Sequence, residues 1–183
     1  MLKKTMLFAF ITFAATALSF CSGENNASKN IDMTGNVQWE SLEKGLERSK
    51  NEGKPLIIYF HTDWCTYCKQ MESEIFKDRE ITDLMNTNYI NVKVNPEKEK
   101  GKINIMGDKI TAMELMSFMG GKGFPATVFW DKNGKPVTTF PGYMQRDVFL
   151  PLIKYMFDEC YKQDIKLNDY IEGKVSCTGP GKS

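Results

Sequence analysis

Apolar and polar positions alternate along the chain in blocks that switch between two periods. Leu56-Ile-Ile-Tyr-Phe60 is an unbroken apolar run behind Pro55. Five β-prone residues bounded by a proline predict a strand buried on both faces. A short polar turn, His61-Thr62-Asp63, and Trp64 follow it. Met71, Ile75 and Phe76 then recur at helical spacing among Lys69, Glu72, Glu74 and Lys77, which predicts a helix running to about Met85. Upstream, Trp39, Leu42 and Leu46 form the apolar stripe of a helix over Trp39–Glu52, stopped by Gly53. Downstream, Ile90, Val92 and Val94 share one face of a strand over Asn88–Asn95.

The second half continues in the same manner. A charged stretch with Gly101 and Gly107 reads as a loop, with Pro96 to Lys102 a solvated mixture of both signs. Ile110–Met119 reads as a Met-rich helix, and its methionines suit core filling more than ligand binding. Thr127–Trp130 and Val137–Phe140 are two strands joined at Asp131-Lys-Asn-Gly134, where Asn133-Gly134 is a strong turn signal. Arg146–Gln163 reads as the last helix, with Val148, Phe149, Leu152, Ile153 and Met156 inward. Pro151 falls inside it and either kinks it or marks a later start. The order helix, strand, helix, strand, helix, hairpin, helix describes an α/β domain, with a central mixed sheet flanked by helices on both faces.

Composition narrows the function classes. There are 24 basic and 23 acidic residues, for a net charge of +1, so no bulk electrostatic argument points to nucleic acid. The start, Met1-Leu-Lys-Lys, leads into an uncharged apolar segment from Met6 to Phe20. That is a secretory signal over residues 1–20, too short to span a bilayer comfortably. Leu18-Ser-Phe-Cys21 resembles a lipobox, in which Cys21 would carry a lipid anchor and contact the membrane. Phe20 departs from the small residue such a box uses, and plain cleavage after Ser19 is the other reading. Residues 21–36 are a polar tether, 37–163 the folded domain and 164–183 a C-terminal tail. Removing the signal leaves about 160 of the 183 residues, enough for one core.

The chemistry lies in Cys65 and Cys68, two residues apart, where the buried strand hands over to a helix N-terminus. The free N–H groups of a first helical turn stabilise a thiolate, and the thiolate is the nucleophile of disulfide exchange. Cys65 is therefore expected partly exposed, as the attacking thiol. Cys68 is expected deeper, as the resolving thiol. A structural disulfide or half of a metal site are the plainer readings. Zinc normally needs a second ligand pair, and only His61, Cys160 and Cys177 could contribute. No metal or cofactor is expected.

Asp63-Trp-Cys-Thr-Tyr-Cys-Lys69 resembles the WCxxCK active site of thioredoxin-like proteins, periplasmic thiol:disulfide interchange domains in particular. A second match, Gly123-Phe-Pro-Ala-Thr-Val-Phe129, has Pro125 where the family places a cis-proline beside the cysteines. The resemblance covers roughly Trp39 to Lys162. It implies a thioredoxin fold, with substrate docked against Trp64 and the backbone of Phe124 and Pro125 in strand-like fashion. It also implies a membrane-embedded thiol relay as electron donor. One departure matters. The family's buried Asp, six residues before the first cysteine, is Tyr59 here, whose ordinary pKa near 10 makes it no base. Glu72, one turn after Cys68, matches a second acidic residue of the interchange domains and becomes the expected proton acceptor; a solvated helix Glu is the plainer reading. His61, the only histidine, can tune Cys65 or simply serve the turn.

The expectation is an exported thiol–disulfide oxidoreductase that reduces disulfides of extracytoplasmic proteins. A disulfide-donating oxidase or isomerase is the opposite direction of the same chemistry, and a non-catalytic metal- or protein-binding lipoprotein is a different class. Cys160 and Cys177 can pair and pin the tail, leaving no odd thiol if Cys21 is lipidated. One of them can instead stay free or link to another chain.

Overall fold

The structure, a computed structural model, describes residues 35–105 and 107–179. The expected signal segment, Cys21 and the expected tether through Thr34 lie outside the described residues. In chain order the elements are β1 (Trp39–Glu40), α1 (Leu42–Glu52), β2 (Leu56–Phe60), α2 (Thr66–Glu74), α3 (Arg79–Asn88) and β3 (Ile90–Val94). Next come β4 (Lys102–Ile105), β5 (Asp108–Thr111), α4 (Ala112–Phe118), β6 (Ala126–Trp130), β7 (Pro136–Pro141), α5 (Arg146–Phe157) and α6 (Leu167–Ile171).

Five strands form one sheet in the order β1-β3-β2-β6-β7. β2 runs parallel to β3 and antiparallel to β6, so the sheet is mixed. All five residues of β2 are fully buried. Ile57 and Tyr59 enter one apolar cluster with Met71, Phe76, Ile81, Met85 and Phe149. Leu56, Ile58 and Phe60 enter the other with Leu42, Val92, Leu115 and Val128. A strand packed on both faces has no place for a polar side chain, which is why the run is continuous rather than alternating. Each such side chain contributes about 1.5–3 kcal/mol by burial.

Several predicted boundaries move. Trp39 is not on the first helix: it lies in β1, paired with Asn91, and packs its ring on Tyr59 and Phe76 at centroid distances of 5.8 and 5.1 Å. Leu42 and Leu46 remain on the helix and face the opposite cluster. The predicted long helix through Met85 is two. Asp78 opens α3, its carboxylate accepting the Ile81 N–H at 3.1 Å and the Arg146 Nε–H at 2.7 Å. The stretch read as a loop around Gly101 and Gly107 is a hairpin, β4–β5, and takes Ile110 from the helix predicted over Ile110–Met119. That helix, α4, starts instead at a capping box between Thr111 and Glu114. The last helix ends at Phe157 rather than Gln163, because Glu159 turns left-handed at φ 54°. Pro151 sits within α5.

Residues 164–179 are not only tail. α6 packs on α5, with the Tyr170 ring 5.4 Å from Tyr155, and the Tyr155 hydroxyl donates to the Ile165 carbonyl at 2.7 Å. Cys160, fully buried, is bonded to Cys177.

Two variants probe these contacts. Gly45 of α1 lies on the sheet so closely that a Cβ would meet Val92 Cγ2 at 2.1 Å. Gly45→Ala gains about 1 kcal/mol of helix propensity but overpacks a stiff β-branched neighbour at about 1–3 kcal/mol. Urea unfolding is expected to show a net loss, relieved in Gly45→Ala/Val92→Ala; a stabilised single variant would contradict the close approach. Cys160→Ala/Cys177→Ala opens a loop with a sequence separation of 17, expected to lower the unfolding free energy by about 3 kcal/mol. An unchanged midpoint would mean that packing alone holds α6.

Candidate active site

β2 delivers the chain to the site. The His61 N–H still donates to the Val94 carbonyl at 3.0 Å, so the backbone follows β3 for one residue past the strand. It then turns through Thr62, Asp63 and Trp64. Cys65 is the N-cap of α2, and its Sγ accepts the Cys68 N–H at 3.1 Å. The first-turn amide and the positive end of the helix thus converge on the Cys65 sulfur. Cys65 and Cys68 are joined as a disulfide. In this state both are buried, Cys65 at 4% and Cys68 at 1% exposure, so the expected partial exposure of Cys65 is not seen in the bonded pair. The exposed groups are their neighbours, Trp64 at 65% and Tyr67 at 62%.

The second predicted segment reaches the same place. Ala126 pairs with Phe60, the last residue of β2, so the register sets Pro125 beside the turn that leads to Cys65. The Phe124–Pro125 peptide is cis. Phe124 stands edge-on to Trp64, with ring centroids 5.9 Å apart, and packs on the cluster that holds both cysteines. Residues 64 and 124, distant in sequence, therefore form one apolar rim.

Polar groups gather behind the cysteines. The Tyr59 hydroxyl donates to the Cys68 carbonyl at 3.2 Å. Burial pushes the Tyr59 phenol far above its ordinary value, and the nearby Glu72 charge adds to this, so it stays a donor. Glu72 is half-buried. Its Oε2 accepts Lys93 Nζ at 2.6 Å, and its Oε1 lies 3.8 Å from His61 Nδ1. Glu72 is thus no freely solvated helix carboxylate. Burial lowers the His61 pKa below its usual value, and the Lys93 charge lowers it further.

Sequence reasoning missed Lys93 and the loop after it. Lys93 pairs in register with Tyr59. Its signal was there, a charge on the strand face opposite Ile90, Val92 and Val94, but only the sheet register names its partner. The charged stretch after Pro96, read as solvated loop, holds the turn in place. Glu97 accepts the Trp64 indole N–H at 3.0 Å, Lys98 pairs with Asp63, and Asn95 donates to Asp63 at 3.1 Å. The Lys98 hydrogen bond holds the Asp63 carboxyl below the usual range.

Comparisons with known proteins agree with this geometry. A family model described as a thioredoxin-like domain matches residues 42–157. The chain is 30% identical over 141 residues to the disulfide bond reductase DsbH of Chlamydia pneumoniae, covering 69% of this chain and 80% of that one. It is 24% identical over 124 residues to the thiol:disulfide interchange protein DsbD of Vibrio cholerae, covering 67% of this chain but only 19% of that protein. This chain therefore spans about a fifth of the interchange protein. Among solved structures, a thioredoxin-fold protein from Helicobacter pylori superposes with a TM-score of 0.58 at 25% identity, covering 72% of this chain and 95% of that one. The mixed sheet, the strand-to-helix CxxC and the length of the family match lead to one conclusion: the chain belongs to the thioredoxin-like family.

Proposed function

We propose that the chain is an exported thiol–disulfide oxidoreductase that reduces disulfides of extracytoplasmic proteins. The observation that carries this is Cys65 at the N-cap of α2, its sulfur receiving the Cys68 N–H, beside the Trp64–Phe124 rim. An amide and a helix N-terminus stabilise the thiolate that attacks. Support for reduction as the direction comes from the likeness to the disulfide bond reductase of Chlamydia pneumoniae.

In the reaction, the Cys65 thiolate attacks a substrate disulfide docked against Trp64, Phe124 and Pro125. One sulfur of the substrate leaves, and Cys65 is left in a mixed disulfide. Cys68 then bonds to Cys65 and releases the second substrate sulfur, while Glu72 accepts the Cys68 proton. The substrate gains two electrons and the cysteine pair loses them. An electron donor must restore the dithiol. Likeness to part of an interchange protein favours a membrane-embedded thiol relay. The basic start and apolar run support export, and Cys21 is the proposed lipid anchor to the membrane.

Cys65→Ser is expected to abolish reduction of a peptide disulfide, while Cys68→Ser accumulates a mixed disulfide visible by mass. Activity retained in Cys65→Ser would refute the assignment of the nucleophile. The equilibrium potential of Cys65–Cys68, measured with Cys160–Cys177 monitored separately, is expected at the thioredoxin end, about −270 mV. A value near about −120 mV would mean an oxidant and reverse the proposed direction.

A further inference from the structure

The reaction leaves a proton to be placed. Cys68 must lose it before its sulfur can attack the mixed disulfide. Tyr59, at the position six residues before Cys65, only donates. Glu72 follows Cys68 by one helical turn, which sets the two side chains on the same face of α2. A carboxylate that has taken this proton must pass it on before the next turnover. Its two oxygens are engaged differently: Oε2 by Lys93 Nζ at 2.6 Å, and Oε1 with His61 Nδ1 at 3.8 Å. Catalytic contacts of this kind are often long before substrate binds and tighten afterwards.

We propose that Lys93 and His61 are positioning residues for resolution: Lys93 holds the Glu72 carboxylate, and His61 drains from it the proton that Cys68 gives up. The inference rests on Cys68 being the resolving thiol. Cys68 Sγ–H loses its proton to Glu72, the Cys68–Cys65 bond forms, and the bond from Cys65 to the substrate sulfur breaks. That sulfur leaves with the electron pair. Glu72 then passes the proton to His61 Nδ1, and the imidazolium, 18% exposed, releases it to water. The groups that act on His61 come from every neighbouring element. Lys93 of β3 opposes its protonation, while Glu72 of α2, Asp63 of the turn and Glu99 of the following loop favour it. The Tyr59 ring of β2 stacks parallel to it at 6.0 Å. With burial the largest influence, His61 is held below its ordinary pKa, neutral near pH 7 and able to accept.

The full chain with its active-site pair reduced is mixed with dithiobis-nitrobenzoate. The first coloured thiolate reports Cys65 attack and the second reports resolution by Cys68. In the wild type the second phase is expected to rise with pH through one inflection, as His61 loses its proton. His61→Phe keeps the stacked ring but cannot titrate. Its second phase is expected to be about a hundredfold slower, with that inflection gone. Lys93→Met removes the charge that opposes His61 protonation, so the inflection moves to higher pH, and Lys93→Arg restores it. A His61→Phe second phase that follows the wild-type profile, or is slower with the inflection unmoved, would overturn the relay. If His61→Phe does not fold, the direction of the shift in Lys93→Met decides, and a profile that stays in place overturns it. A wild type with a first phase and no second would instead overturn the resolving role of Cys68 and the relay with it.

Discussion

Strand β2 has a paired neighbour on each edge and a packed layer on each face, and the site depends on that confinement. Its backbone is held in parallel register to β3 and antiparallel register to β6. Its side chains alternate into two apolar clusters. A strand so enclosed cannot shift without moving every side chain to the wrong face. Its C-terminal end is therefore a rigid platform, and the turn that leaves it carries Cys65 to the N-terminus of α2. Rigid elements position thiol chemistry more exactly than loops do.

The same confinement explains the polar arrangement behind the cysteines. Tyr59 and Lys93 are register partners on neighbouring strands, so one delivers its hydroxyl to Cys68 and the other its ammonium to Glu72. A phenol can neither accept the resolving proton nor carry a charge at neutral pH when buried. The charge moves outward to Glu72, where Lys93 compensates it and His61 Nδ1 lies 3.8 Å from the second carboxylate oxygen. The loop after β3 closes the front of the site through Glu97 on Trp64 and Lys98 on Asp63. This hydrogen bond and this ion pair are exposed and of little weight for stability. They act by fixing where Trp64 stands against Phe124.

The elements legible in the sequence were those whose pattern is local. Leu56–Phe60 announces a two-sided strand because nothing polar interrupts it. Ile90, Val92 and Val94 announce a strand because they alternate, and Asn133-Gly134 a hairpin because few residues turn the chain so tightly. Trp39 misled because one ring at helical spacing before Leu42 cannot be told from one at the end of an edge strand. The break between α2 and α3 was hidden because Asp78 reads as a helix-face acid until its cap to Ile81 is seen. α6 was too short to show a period at all, and it is held by α5 and the bond of Cys177 to Cys160.

By itself the sequence determined the cysteine pair, its place between a buried strand and a helix, and the order of the main strands and helices of the domain. Those follow from spacing and periodicity along one stretch of chain. The tertiary structure alone decided what faces what: Lys93 on Glu72, Glu72 near His61, Tyr59 on Cys68, Glu97 on Trp64. These pairs are separated by up to 33 residues in sequence. They meet only because sheet register and the packing of α2 over it convert distant positions into neighbours.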